Sequence, residues 1–298
     1  MEKKKKIILI DGSSYLYRAF YALPPLKSPK GEPTGAIYGF IRMLSKLMNE
    51  FNPKYIAVAF DLPGKTFRHE EYKEYKATRK ETPDELKLQI PKLKEILRLW
   101  GIKLIEIPGY EADDIIATLA KKGKEKDFEV IIVTPDKDMM QLVEEGIYIF
   151  NPVTEEIFDR EKVKKKYGIY PDQFVDFLAM VGDTVDNILG VKGVGPKTAQ
   201  KLLEQFGNID EILKNIDKLK PKLQDAFEEA KDRLEQNRFL VKLRSDIDIG
   251  IEPEDLHKEK ADLIALKKKF EELGFKSLLK EIGKVKSIEK KGEQKSLF

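Results

Sequence analysis

The chain has 298 residues, 41% of them hydrophobic and 36% charged, which is enough for one large domain or two modest ones around a buried core. Its 55 basic and 52 acidic side chains nearly cancel, to a net +3, so a uniformly basic surface is excluded while segregated patches that could meet a polyanion are not. There is no cysteine, and the two histidines, His69 and His257, lie far apart; disulfides and thiolate metal sites are excluded, and any metal held here must be a hard cation on oxygen ligands.

In chain order, MEKKKK gives way to IILIDG, a stretch too short for a secretory h-region and without a small-residue cleavage site. No apolar run approaches the roughly 20 residues of a membrane span, and a cytoplasmic protein is expected. Abundant Lys and Glu without Cys fits heat adaptation. Strand-length apolar runs recur as IILI 7–10, YIAVAF 55–60, IKLIEI 102–107, EVIIV 129–133 and IYIF 147–150. Most are continuous rather than alternating, as in strands covered on both faces. Helical patterns such as AIYGFIRMLSKLMNEF and DELKLQIPKLKEILRLWG lie between them. This alternation predicts an α/β domain over 1–171 with a mainly parallel central sheet flanked by helices. From about residue 172 strand-like runs disappear, and helical segments with Gly or Pro breaks predict a smaller all-helical domain over 172–282. The polar, lysine-rich stretch 283–298 reads as a mobile tail.

Acids fall after the strands. Asp11 follows IILI, Asp61 follows YIAVAF, and TPDKDMMQL places Asp136 and Asp138 after EVIIV. After IKLIEI, Glu111, Asp113 and Asp114 open a helix. Ligands of open α/β sheets bind outside the carboxyl ends of the strands, so four segments deliver acids to one edge. Any one of these acids reads equally as a turn former, helix N-cap or dipole partner. Together they do not: two like charges about 4 Å apart cost about 1 kcal/mol in water and roughly 4 kcal/mol at an effective dielectric of 20. Such crowding requires protonation or bound cations, and magnesium or manganese is the natural counter-charge. Asp183 and Asp186, in MVGDTVDNILG, share a face if that segment is helical; a turn is the competing reading.

Next comes GVKGVGPKTAQKLLEQFG. A Gly-x-Gly hairpin at a helix N-terminus lets backbone N–H groups approach phosphates, here Gly193, Gly195 and Thr198, with Lys192 and Lys197 adding charge. The spacing resembles a helix-hairpin-helix motif. Segment 65–80 interleaves Lys65, Arg68, Lys73, Lys76, Arg79 and Lys80 with Phe67, Tyr72 and Tyr75. It suits phosphate neutralisation and base stacking, or a solvated amphipathic helix, and its place after the Asp61 strand hangs it over the acids.

The motifs LIDGSSYLYRAFYALPPL, FDLPGKTFRHEEYKEYKATR, PGYEADDIIATLA, TPDKDMMQLV, GDTVDNILGVKGVGPKTAQKLL and LEQNRFLVKLRSDI resemble, in order, the 5′-nuclease family, and most of all the N-terminal 5′→3′ exonuclease domain of bacterial DNA polymerase I. The resemblance runs from about residue 6 to 280. It implies a structure-specific 5′→3′ exonuclease and 5′-flap endonuclease cutting DNA or RNA–DNA, in primer removal and repair. It further implies a helical arch over about 65–100, in which Lys76 and Arg79 contact the scissile phosphate, Tyr75 stacks on a base, and Arg68 joins Arg18 as a DNA contact. Asp11, Asp61, Glu111 and Asp113 would hold one ion and Asp136, Asp138, Asp183 and Asp186 another, with Asp114 shared or one step removed. Pro135, Thr184-Val185 and Leu189 depart from the family pattern without removing an acid. A non-catalytic branched-DNA-binding protein and a magnesium-dependent phosphatase are the other readings; the intact acids disfavour the first, and the hairpin and basic segment the second. At the end of the chain, Gln294, Leu297 and Phe298 of QKSLF resemble the peptide by which replication proteins bind the sliding clamp, and a polymerase is a further expected partner.

Overall fold

Along the first strand, Ile7 and Leu9 pack into one apolar cluster and Ile8 and Ile10 into another, so the sheet must be covered on both faces. The computed structural model describes residues 4–281. The lysine-rich tail with Gln294, Leu297 and Phe298 lies outside the described residues.

Six strands build the main sheet: β1 (Lys6–Asp11), β2 (Tyr55–Ala59), β3 (Lys103–Ile105), β4 (Glu129–Val133), β5 (Ile147–Asn151) and β6 (Glu156–Phe158). Their order is β3-β2-β1-β4-β5-β6, and all pairings are parallel except β5 with β6. The strand expected over 102–107 is only three residues long. One face carries α1 (Gly12–Ala22), α2 (Gly35–Phe51) and, further on, the pair described next. After α3 (Phe67–Glu71), the single helical pattern expected over 84–101 divides into α4 (Asp84–Lys87) and α5 (Ile90–Leu99). Pro91 has no N–H to continue the ladder, and the buried Gln89 side chain instead accepts the Ala36 amide at 2.8 Å, capping α2.

The opposite face carries α6 (Ala112–Glu125), whose Ile115, Ile116 and Leu119 pack on the sheet. The same cluster runs on through α7 (Arg160–Tyr167), α8 (Phe174–Val181), α9 (Pro196–Phe206), α10 (Ile209–Lys214) and α11 (Pro221–Val241). The region expected to be all-helical contains a two-stranded ribbon, β7 (Gly182–Asp183) with β8 (Ile188–Leu189). Glycine is required on both sides of it. A Cβ on Gly182, whose φ is +75°, would stand 2.4 Å from the Gly190 nitrogen, and one on Gly190 would stand 2.4 Å from the Val181 oxygen.

The span 172–282 is not one packing unit either. After α11 the chain returns across α6, and α12 (Leu263–Leu273) buries Leu266, Phe270 and Leu273 with α5 on the far side of the sheet. Residues 65–100, where the helical arch is expected, hold the three separate helices α3, α4 and α5. Beyond α3 they turn at Lys76, held at φ +57° with its N–H on the Asp186 carbonyl at 3.0 Å. Among the described residues, no helix is long and apolar enough to cross a membrane.

Candidate active site

The sheet changes direction beside β1: the chain first adds β2 and β3 on one side, then β4 on the other. The carboxyl ends flanking such a switch form a crevice. Asp11 is the last residue of β1, one step beyond the Ile10–Val133 pair, so it faces the loop that leaves β4. Gly12 makes this possible, because a Cβ there would lie 2.6 Å from Val58 Cγ1 and 2.7 Å from the Ala59 oxygen.

Hydrogen bonds then link the segments. One Asp11 oxygen accepts the Ser14 amide at 2.9 Å, capping α1, and the other accepts the buried Thr134 hydroxyl at 2.9 Å. The Thr134 oxygen accepts the Asp136 amide at 3.1 Å, and Asp136 Oδ1 accepts the Asp138 amide at 2.8 Å. Asp61 accepts the Ala112 amide at 2.8 Å, at the N-terminus of α6, next to Glu111 and Asp113. The capping roles weighed for Asp11 and Asp61 are therefore real, and they coexist with convergence.

Crowding shows in the proton affinities. Burial, followed by repulsion from Asp11, Asp136, Asp61 and Glu111, pushes the Asp113 carboxyl well above the usual range. Burial raises Asp11 to about 6, with Asp61 adding and Ser14 and Thr134 opposing. Burial and then Asp136 raise Asp138 to about 6, with Lys137 opposing. For Glu111, burial pulls upward, but Lys76, Arg68 and the Tyr75 hydroxyl outweigh it and the net shift is downward.

Asp183 and Asp186 reach the same cleft from the ribbon turn, not from a helix. Asp183 Oδ1 accepts the Val185 and Asp186 amides at 2.7 and 3.1 Å, an Asx turn, so the turn alternative is the conformation found. Cations pair with these acids, Arg68 with Glu111 at 3.3 Å among them. Lys76 binds Glu111, Arg79 binds Asp186, and Lys137 binds Asp138 at 2.9 Å and lies 3.6 Å from Asp183. The space between these groups is about 50 Å³, room for one or two water-sized groups and not a nucleotide. Among the described residues, no three acidic or histidine side chains are so placed that they could hold a metal ion as they stand. The donor set nevertheless suits a hard divalent ion. It is all oxygen, and bringing a cation close would relieve the repulsion felt at Asp113, Asp11 and Asp138.

Three expected site residues are engaged within the protein, two of them, Arg68 and Tyr75, at the wall of the cleft. Asp114 is fully buried, and both its oxygens bind the Arg68 guanidinium, at 2.6 and 2.7 Å, while Oδ1 also takes the Arg244 amide at 2.9 Å. It has no oxygen facing the cleft for an ion. Arg68 is 1% exposed, with Nε on the Leu240 carbonyl, so it ties α3 and α6 to the end of α11 and cannot reach DNA. Tyr75 is 3% exposed and donates its hydroxyl to Glu111 at 3.1 Å, which leaves no ring face for a base. Burial, with the charges of Glu111 and Asp186, keeps that hydroxyl protonated. Lys76 and Arg79 do line the cleft. Arg18 is half-buried on α1. Lys192, Gly193, Gly195 and Lys197 are exposed and Thr198 half-exposed around the start of α9, with open space where side chains on Gly193 and Gly195 would project. Sequence reasoning missed Thr134 and Lys137. Both lie within the motif TPDKDMMQL, but Thr134 finds its acid on β1, and Lys137 reaches Asp183 on the ribbon as well as the neighbouring Asp138.

A mainly parallel sheet rimmed by carboxylates, beside an exposed glycine hairpin, is the build of a nuclease. Two family models match in succession: "5'-3' exonuclease, N-terminal resolvase-like domain" over residues 6–168, and "5'-3' exonuclease, C-terminal SAM fold" over 169–263. The chain belongs to the 5′–3′ exonuclease family. It is 50% identical over 294 residues to the 5′–3′ exonuclease of Aquifex aeolicus (strain VF5), covering 99% of this chain and 100% of that one. It is 41% identical over 283 residues to the thermostable DNA polymerase I of Thermus thermophilus, covering 95% of this chain and 34% of the polymerase. This chain thus spans about a third of its polymerase relatives. Among solved structures, the zinc-bound 5′-exonuclease of bacteriophage T5 matches with a TM-score of 0.67 and 23% identity, over 80% of this chain and 89% of that one. The catalytic core of Rad2 in complex with DNA substrate matches with a TM-score of 0.60 and 20% identity, over 91% and 88%. At these identities the likeness is one of fold.

Proposed function

We propose that this exonuclease hydrolyses phosphodiester bonds at 5′ ends and 5′ flaps of branched or nicked DNA, or of RNA–DNA, in primer removal and repair in the cytoplasm. Its cofactor would be magnesium, with manganese able to substitute. The observation that carries this reading is the repulsion at Asp113, whose carboxyl feels acids from three other chain segments at one rim of the sheet. Asp11, Asp61, Glu111 and Asp113 would hold one ion, and Asp136, Asp138, Asp183 and Asp186 a second. When bound, the ions supply Lewis-acid activation of water and neutralisation of phosphate charge. Asp114 acts one step away, holding Arg68 and, through it, Glu111. Lys76 and Arg79 line the cleft, and once released from Glu111 and Asp186 they offer positive charge to a phosphate whose negative charge grows during hydrolysis. The hairpin at the start of α9 offers backbone N–H groups and two lysines to the duplex backbone, at a distance from the cut and without reading sequence.

A 5′-labelled flap duplex, mapped for products with magnesium and with EDTA, tests the reading. Asp136→Asn and Asp138→Asn should stop cutting while leaving DNA binding largely intact, and undiminished cleavage by both would refute the assignment. Recruitment to a sliding clamp, through Gln294, Leu297 and Phe298, is proposed as a separate property, with a DNA polymerase acting on the same nick. Deleting 294–298 should end clamp capture in a pull-down without changing flap cleavage, and retained capture would discard it.

A further inference from the structure

Lys137 stands between two acids in sequence and between two chain segments in space. Its ammonium is 2.9 Å from Asp138 Oδ1, on its own loop, and 3.6 Å from Asp183 Oδ2, on the ribbon. Asp183 Oδ1 is committed to the amides of Val185 and Asp186, so Lys137 addresses the oxygen that remains for an ion. Lys76 and Arg79 reach their acids from the segment after α3, whereas Lys137 belongs to the acidic loop itself, one residue from Asp136 and one from Asp138. Its side chain is half exposed, so it carries no core packing that would explain it.

We propose that Lys137 is a tethered counter-cation for the Asp136, Asp138 and Asp183 carboxylates. It holds them together when no divalent ion is present, and it weakens ion binding at that half of the rim by competing for the same oxygens. The inference rests on the two-group metal reading above, and it makes Lys137 a positioning residue that sets how much metal the second group needs.

Manganese titrations of the full chain, followed by electron paramagnetic resonance, test it with Lys137→Met, Lys137→Arg and Asp138→Asn. Removing one solvent-screened unit charge near the ion should tighten manganese binding at the Asp136, Asp138 and Asp183 group about tenfold in Lys137→Met. Lys137→Arg should bind as the wild type does, because the charge remains, and Asp138→Asn should lose that ion. If Asp138→Asn loses the ion but Lys137→Met binds it with unchanged affinity, the counter-cation role is wrong and the metal reading stands. Weakened binding of flap DNA by Lys137→Met at unchanged manganese affinity would likewise overturn it, in favour of a phosphate contact. If Asp138→Asn retains every bound ion, the metal assignment itself fails and the inference with it.

Discussion

Replacing Asp11 by Asn should stabilise the metal-free protein, and only above about pH 4. Asp11 is 1% exposed, and burial, with the charge of Asp61, lifts its carboxyl from 3.8 to about 6 against the hydrogen bonds from Ser14 and Thr134. At about 1.4 kcal/mol per unit, that corresponds to about 3 kcal/mol. Because the folded value lies above the unfolded one, the native chain still holds a proton that the unfolded chain has released between pH about 4 and 6. With respect to this group, stability is therefore complete below the unfolded value, declines as pH rises to about 6, and stays reduced beyond it. Asparagine carries no charge there. Its oxygen can keep the Ser14 amide, and the Thr134 hydroxyl can turn to accept from its amide group. Urea unfolding in EDTA from pH 4 to 8 should show the two proteins equal at the acid end, with the variant ahead by up to about 3 kcal/mol above pH 6. Carboxylates remote from Asp11 cancel in the difference, whereas Asp113, which feels the Asp11 charge, is relieved of it in the variant and adds to the gap in the same direction. On the proposed ion assignment, saturating magnesium should reverse the order, since ion binding would stabilise the wild type and the variant would lack one of the proposed ligands. A pH-independent gap in EDTA, or a variant less stable than the wild type at pH 8, would refute the argument.

Arg68→Met removes the guanidinium that binds both oxygens of Asp114, a fully buried side chain, and should cost about 3–5 kcal/mol in urea unfolding. Adding Asp114→Asn should recover part of this, and a loss below about 1 kcal/mol for the single variant would refute the buried ion pair as a source of stability. Lys192→Ala and Lys197→Ala, both at exposed positions, should leave urea stability unchanged. Each should lower the slope of log affinity against log salt by about 1 for uncut duplex in EDTA, and an unaltered slope would remove the hairpin from the interface.

Much of the acid rim was readable before folding because each acid is local to a strand end. In a parallel sheet all such ends point the same way, so Asp11, Asp61, Glu111, Asp113 and Asp136 converge without any contact having to be foreseen. The buried strands were equally clear from Ile and Val runs that only a two-faced sheet accommodates. What sequence alone could not assign was the state of each polar side chain once burial had set its partners. Arg68 and Tyr75 read as DNA contacts because basic and aromatic residues at a turn normally face solvent. They are buried because Asp114, Glu111 and the Leu240 carbonyl close on them from 36 to 172 positions away. The acids at 183 and 186 were visible, but their ribbon depends on Gly182 and Gly190 letting two backbones approach where any Cβ would collide. Return of α12 to the first face of the sheet has the same origin: its apolar stripe fits any exposed groove, and only the assembled core offers the one beside α5. Composition and local pattern thus determined the strands, the acids and the hairpin. Tertiary structure decided which charges face the cleft and which face each other, because the cost of burying a charge depends on neighbours that the chain supplies only after it has folded.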